Sequence, residues 1–158
     1  MAGGTYLALA VMAGLAAVGV WLDVRDRRLP NWLCLAVLIA GLAAGLVLHD
    51  ASWAGSSALH TLAALVVGMG LFALGVIGGG DAKFYAAMAS WFPLPAAIPL
   101  LGMVSAVGLV LLLGWLAWRR MRRTEAPATS GDFAKFPYGV AISTGALATF
   151  ALPALGWA

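Results

Sequence analysis

The aspartate at position 81 is the residue of this sequence whose setting most strongly indicates chemistry. It follows three glycines in the segment Ile77-Gly78-Gly79-Gly80-Asp81-Ala82-Lys83, within a chain that is otherwise almost continuously apolar. A carboxylate beside hydrocarbon costs free energy, so it is a functional candidate by default. Glycines such as Gly78 and Gly80 can adopt positive φ and let another backbone approach closely. An extended peptide could therefore lie against this loop, beside the Asp81 carboxylate.

A second acidic group stands where the first apolar run meets a charged segment. Asp23 is followed by Asp26 and by three arginines, and the segment then continues into Pro30 and Asn31. Each aspartate also has a purely structural interpretation. Asp81 would suit the beginning of a helix, where its charge favours the positive end. Asp23 and Asp26 would neutralise the neighbouring arginines, and Pro30 fits the first turn of a helix.

Composition assigns the whole chain to the membrane. Of its 158 residues, 63% are hydrophobic and 9% are charged, and the mean hydropathy is +0.99, whereas about a quarter of the residues of a soluble domain are charged. We predict one membrane domain over residues 1–158. The net charge of +3 indicates membrane orientation rather than a nucleic-acid partner. The single cysteine, Cys34, excludes a disulfide framework and a multi-cysteine zinc site.

The apolar runs predict an all-α, polytopic membrane protein with about six transmembrane helices. A span needs roughly 20 apolar residues, and a shorter helix with a glycine-rich beginning and a proline-bounded end crosses only where protein or water surrounds it. The short fourth helix is predicted at Asp81–Phe92. The other five spans are predicted at Thr5–Leu22, Asn31–Leu48, Ser57–Ile77, Ala96–Trp118 and Phe136–Trp157.

Six crossings place every basic residue on one side of the membrane. The nine are Arg25, Arg27, Arg28, Lys83, Arg119, Arg120, Arg122, Arg123 and Lys135. Lysine and arginine are enriched in cytoplasmic loops, so we expect that side to be cytoplasmic and both termini to lie outside. The same topology brings Asp23 and Asp81 to one face. His60 falls toward the outer side, and we interpret it as a helix-end polar group.

Three motifs resemble those of the type IV prepilin peptidase family. The segment from Gly78 to Lys83 resembles the family's GxGD motif, and Asp23 with Pro30 and Asn31 resembles its other aspartate motif. The segment Phe136–Ile142, with Pro137 and Gly139, is similar to the opening of the family's last helix. The chain looks like the short branch that serves tight-adherence (Flp) pili.

The resemblance implies a membrane-embedded aspartic endopeptidase of the bacterial inner membrane, with Asp23 and Asp81 as its catalytic pair and no metal or cofactor. It implies that prepilins or pseudopilins are the substrate, and that pilus assembly machinery and membrane lipid are the other partners. We expect no methyltransferase activity, because the paired cysteines of the long members are missing here. Long members often carry a second acidic residue where this chain has Arg25, so Asp26 is kept as an alternative to Asp23.

Other functions fit part of the pattern. A small transporter could use glycine-broken helices and buried carboxylates to bind a cation, but it should show an internal repeat. A non-enzymatic assembly subunit of a pilus or secretion system could have the same hydropathy, without a reason for two aspartates at one face. Presenilin-like proteases share GxGD, but their first aspartate stands in a different motif. Lys83 is expected to reach the interface or lipid phosphate, or to tune Asp81.

Overall fold

The computed structural model describes residues 2–121 and 138–152 of the chain, and every regular element in these two ranges is helical. The prediction of an all-α protein is therefore confirmed. A 3-10 turn, Leu94–Ala96, joins the fourth and fifth helices. The six α-helices described are α1 Ala2–Asp26, α2 Asn31–Leu48, α3 Ala51–Ala73, α4 Gly79–Ala89, α5 Ala97–Met121 and α6 Tyr138–Ala151.

Four segments in the described ranges are long and apolar enough to cross a membrane. They are Gly3–Asp26, Asn31–Leu48, Ala51–Ala73 and Leu94–Trp118. Helix α4 has 11 residues and the described part of α6 has 14, so neither meets the length that a span requires. The chain is thus a multi-pass membrane protein, and the count of six spans stays a prediction.

The third helix ends before the site, at a glycine that the sequence analysis overlooked. Gly75 has φ of +72°, the left-handed conformation that ends many helices. Its N–H donates to the carbonyl of Phe72 at 2.9 Å, and the N–H of Val76 donates to that of Leu71 at 2.9 Å. This Schellman arrangement ends α3 at Ala73 instead of the predicted Ile77, which leaves an irregular segment before α4.

Helix α4 is short but lies at the centre of the bundle. It packs against α2, α3 and α6, and its side chains Phe84 and Met88 are fully buried. Gly19 of α1 is next to the Phe84 ring, since a Cβ at that glycine would lie 2.6 Å from Cζ. After α4, the Trp91 indole donates to the carbonyl of Val37 on α2 at 3.1 Å. These contacts fix α4, and so Asp81, relative to α1 and α2.

The last described helix returns to the first. The Ser143 hydroxyl on α6 donates to the carbonyl of Ala16 on α1 at 3.3 Å. This packing brings the beginning of α6 to the end of α1, where Asp23 lies. Large apolar side chains face outward on other helices, including Val47 at 80% and Ile98 at 82% exposure, as expected for surfaces that contact lipid tails.

Candidate active site

A polar cavity of about 860 Å³ opens where α1, α2, α4 and α6 meet the irregular segments that join them. Both Asp23 and Asp81 line this cavity. Residues 58 positions apart therefore share one site. The full lining comprises Asp23, Arg27, Arg28, Leu29, Pro30, Asn31, Gly75, Val76, Ile77, Gly78, Gly80, Asp81, Lys83 and Tyr138.

Asp23 lies in the last turn of α1 and is held from the opposite side of the bundle. Its side chain is buried, with 7% of its surface exposed. The backbone N–H of Gly139, at the beginning of α6, donates to its Oδ2 at 2.8 Å. Hydrogen bonds from backbone donors to a carboxylate favour its charged form. Gly139 thus orients the carboxylate of one motif through the backbone of another.

Asp81 occupies the first turn of α4, outside the four candidate spans. Gly78 is the N-cap, and its backbone forms a hydrogen bond with the Asp81 carboxylate, as a residue at the third helical position does in a capping box. Burial, and secondarily the nearby Asp23 carboxylate, raise the pKa of Asp81 to about 6. Asp81 is therefore not the N-cap residue that the structural interpretation made it, since Gly78 holds that position. Its carboxyl instead satisfies the backbone of the N-cap residue while it lines the cavity.

The glycines before Asp81 do not act through positive φ as expected. Gly75 is the glycine of the described residues that adopts positive φ, whereas Gly78 has extended backbone with φ −71° and ψ 141°. A Cβ at Gly78 would lie 2.6 Å from Asp81 Oδ2, so this glycine makes room for the carboxylate itself. A Cβ at Gly80 would meet the Cβ of Leu29 at 3.7 Å, an ordinary van der Waals contact, so the backbone at Gly80 packs beside Leu29 at the cavity wall.

The structure separates Asp23 from Asp26. Asp26 is exposed and forms an ion pair with Arg25, in which Nε and Oδ1 are 3.7 Å apart. It is not part of the cavity lining, which includes Asp23. Geometry therefore favours Asp23 as the partner of Asp81. Asp26, the last residue of α1, pairs with a neighbouring arginine as the sequence indicated.

The remaining motif residues surround the same cavity. Pro30 is the N-cap residue of α2, and Asn31 follows it at the cavity wall. Lys83 Nζ donates to Asn31 Oδ1 at 3.4 Å, so a hydrogen bond joins the two aspartate motifs. Pro137, which the sequence analysis also selected, lies outside the described residues.

Several lining residues were not among the predicted site residues, and two of them are notable. Tyr138 precedes Gly139 and lines the polar cavity, and only its position in the third motif could have indicated this. Arg27 also lines it, with φ of +51°, a left-handed conformation that is uncommon for residues other than glycine. This backbone turn just after α1 carries the chain back toward the cavity.

An apolar cavity of about 360 Å³ adjoins the polar one, between α3, α4, α5 and α6. Asp81, Ile77 and Tyr138 line both cavities. His60 lines the apolar cavity and is 2% exposed. It is thus a buried residue in the interior of α3, and its interpretation as a helix-end polar group was wrong, because α3 begins at Ala51, earlier than predicted.

Fold and site together define a helical multi-pass membrane protein with two aspartates from separate helices at one cavity. The family model described as the type IV leader peptidase family matches residues 10–113, about two thirds of the chain, including both aspartates. The chain therefore belongs to the type IV leader peptidase family, and the predicted resemblance is confirmed. Searches against curated proteins and solved structures found no match.

Proposed function

We propose that this protein is an aspartic endopeptidase that removes the short leader peptide from type IV or Flp prepilins at the cytoplasmic face of the bacterial inner membrane. The observation that carries the proposal is the polar cavity shared by Asp23 and Asp81. Family membership supports a peptidase over the transporter and the non-enzymatic assembly subunit that the hydropathy also allowed.

Hydrolysis by such a pair needs one ionised and one protonated carboxyl. The ionised group takes a proton from water as the water oxygen attacks the scissile carbonyl carbon, while the protonated group donates a hydrogen bond to the carbonyl oxygen. The tetrahedral intermediate then collapses, the C–N bond breaks, and the amine leaves with a proton from the pair. Two nearby carboxyls share one proton because like charges raise each other's pKa.

Asp81 is the better candidate for the shared proton. Burial and the Asp23 carboxylate raise its pKa to about 6. Asp23 is also buried, but it accepts a backbone hydrogen bond from Gly139 that partly offsets the effect of burial on its charged form. On this assignment Asp23 activates water and Asp81 polarises the carbonyl. We expect kcat/KM to fall as the pH rises through about 6, since Asp81 then loses the proton that it must donate.

Substitution of the aspartates tests the proposal directly. Asparagine preserves size and hydrogen bonding but carries no ionisable proton, so Asp23→Asn and Asp81→Asn should each abolish processing of a co-expressed prepilin. The double variant should lose nothing further, because residues that act as a unit fail together. Asp26→Asn is the matched control, since Asp26 is exposed and paired with Arg25, and it should retain most activity.

The readout is the mobility shift of the precursor on leader removal, with membrane levels of each variant measured in parallel. If Asp23→Asn cleaves normally while Asp26→Asn is inactive, the pair is Asp26 and Asp81. If Asp23→Asn and Asp81→Asn both remain active, the protein is not an aspartic peptidase of this kind.

A further inference from the structure

The apolar cavity contains a polar group that the proposed peptidase mechanism does not use. His60 lies in the interior of α3 with 2% of its surface exposed, on the wall of the cavity. Its Nδ1 is 3.1 Å from the backbone carbonyl oxygen of Phe92. A carbonyl oxygen only accepts, so Nδ1 carries the hydrogen, and in the neutral ring Nε2 is then an acceptor.

That acceptor is unsatisfied within the part of the chain that the structure describes. The bond to Phe92 is the only hydrogen bond of His60 there. Among the same residues, Ser57 Oγ is the fully enclosed side-chain atom that lacks a partner, so His60 Nε2 is not fully enclosed by protein. The open space beside the imidazole is the apolar cavity. An unmet hydrogen bond in an apolar setting costs stability, so a bound group that donates to Nε2 would be favoured.

The cavity leads from this histidine to the candidate catalytic carboxyl. Its α3 lining runs from His60 to Leu71, a distance of roughly 16 Å along the helix axis. Gly68 is beside Ala82, where a Cβ would lie 3.1 Å from the alanine Cβ, so the Leu71 end adjoins Asp81. Asp81, Ile77 and Tyr138 continue the wall into the polar cavity.

We propose that His60 is a specificity-determining residue, whose Nε2 accepts a hydrogen bond from a hydroxyl or amide donor in an otherwise apolar peptide segment lying in this cavity. The occupant is the apolar part of the peptide substrate that follows the scissile bond, because the cavity begins at Asp81. The proposal rests on the proposed function for the identity of this occupant. An extended chain covers 16 Å in about five residues, so the donor should lie near the fifth residue from the scissile bond.

Two substitutions separate this role from the structural bond to Phe92. Asparagine carries its amide on the same atom as Nδ1, so His60→Asn can still donate to the Phe92 carbonyl but has no acceptor at the Nε2 position. Glutamine reaches the Nε2 position, so His60→Gln can accept there but loses the bond to Phe92. His49→Asn is the control, because His49 is exposed and stacks on Trp53 with ring centroids 3.8 Å apart.

The probes are pairs of synthetic prepilin peptides, one pair for each apolar position after the scissile bond. At that position one peptide of the pair carries valine and the other carries threonine, which differ by a methyl and a hydroxyl. Each pair competes in one reaction with the full-length protein in lipid nanodiscs, and mass spectrometry of the products gives the threonine-to-valine ratio. This ratio is independent of the amount of folded enzyme. The same pairs are also captured by photo-crosslinking on the Asp81→Asn protein, with and without His60→Asn.

In His60→Asn we expect the threonine-to-valine ratio to fall about tenfold at one position, which corresponds to 1.4 kcal/mol. His60→Gln should keep the wild-type ratio with a lower melting temperature, and His49→Asn should change neither. An unchanged ratio profile in His60→Asn at every position, in cleavage and in capture, would overturn the proposal. If capture shows the change while the wild-type protein cleaves nothing, the His60 site stands and the proposed function fails.

Discussion

The glycine at position 139 donates its N–H to the Asp23 carboxylate across 2.8 Å, and the carboxylate fills the space where a side chain would be. A Cβ built on Gly139 would lie 2.7 Å from Asp23 Oδ2 and 3.0 Å from its Cγ. Such contacts are closer than van der Waals packing allows. The absence of a side chain at position 139 is therefore as important to the site as the hydrogen bond.

We predict that Gly139→Ala lowers processing by at least about a hundredfold. The added methyl would displace the Asp23 carboxylate, and misplacement of a catalytic group by about 1 Å can cost that much. Gly108→Ala on α5 is the control, since its Cβ would meet Ala141 at an ordinary 3.6 Å. Prepilin processing and membrane levels are measured for both, and equal activity in the two variants would contradict the tight fit around Asp23.

The raised pKa of Asp81 predicts how stability depends on pH. In the folded protein Asp81 titrates at about 6, against an ordinary value of 3.8. The folded state thus binds more protons between these values, so the contribution of Asp81 to stability is fully present below about pH 4 and is lost as the pH rises through about 6.

Asp81→Asn should therefore be more stable than the wild-type protein at pH 7 but not at pH 4. The shift alone corresponds to about 3 kcal/mol, and partial exposure to solvent reduces the expected gain to about 1–2 kcal/mol. Melting temperatures of both proteins in detergent at pH 4, 5.5 and 7 check this. A gain of the same size at all three pH values would show that the substitution acts through something other than ionisation.

At the scale of elements, the position of Asp81 depends on how closely α3 approaches α4. Gly68 on α3 faces Ala82, the residue after Asp81, and a Cβ on this glycine would be 3.1 Å from that of the alanine. Small residues at helix contacts let backbones approach in membrane proteins. The short helix α4 is thus held beside α3 at the turn that carries the carboxyl.

Gly68→Val should push α4 away and lower processing by about tenfold or more, since overpacking shifts backbone as well as side chains. Gly70→Val on the same helix is the matched control, because a Cβ at Gly70 has nothing within 4 Å and the change in helix propensity is the same. Both variants are compared for membrane level and prepilin cleavage. Similar losses in the two would mean that valine harms α3 itself rather than its contact with α4.

At the scale of the whole molecule, the orientation in the membrane is open to a direct test. We predict that the loop between Trp118 and Phe136 is cytoplasmic and that both termini are outside, because all nine basic residues then lie on the cytoplasmic side. A Cys34→Ala background removes the buried native thiol, and Thr129→Cys or a cysteine added at the carboxyl terminus is then labelled in intact cells with a membrane-impermeant reagent.

The terminal cysteine should react in intact cells and Thr129→Cys only after the membrane is opened. Labelling of Thr129→Cys but not of the terminal cysteine in intact cells would reverse the orientation. If both or neither react in intact cells, the number of crossings between them is even, and α6 does not cross.

The sequence alone determined the class of the protein, because apolar runs of span length and scarce charges can be satisfied only by helices in a membrane. It also selected Asp23 and Asp81, since each carboxylate stands at the edge of an apolar run in a motif of the family. The helix boundaries around Asp81 were less accessible. Gly75 ends α3 through left-handed backbone, and a single glycine among 20 carries no distinguishing signal.

Tertiary structure decided what surrounds the carboxyls. The choice of Asp23 over Asp26 follows from which face of the last turn of α1 meets α6, and the bond from Gly139 joins residues 116 positions apart. Hydropathy describes how apolar a segment is but not which neighbour each face contacts. For the same reason His60, which resembles any polar residue near a helix end, was identified as a buried cavity residue only when α3, α4 and α5 were packed together.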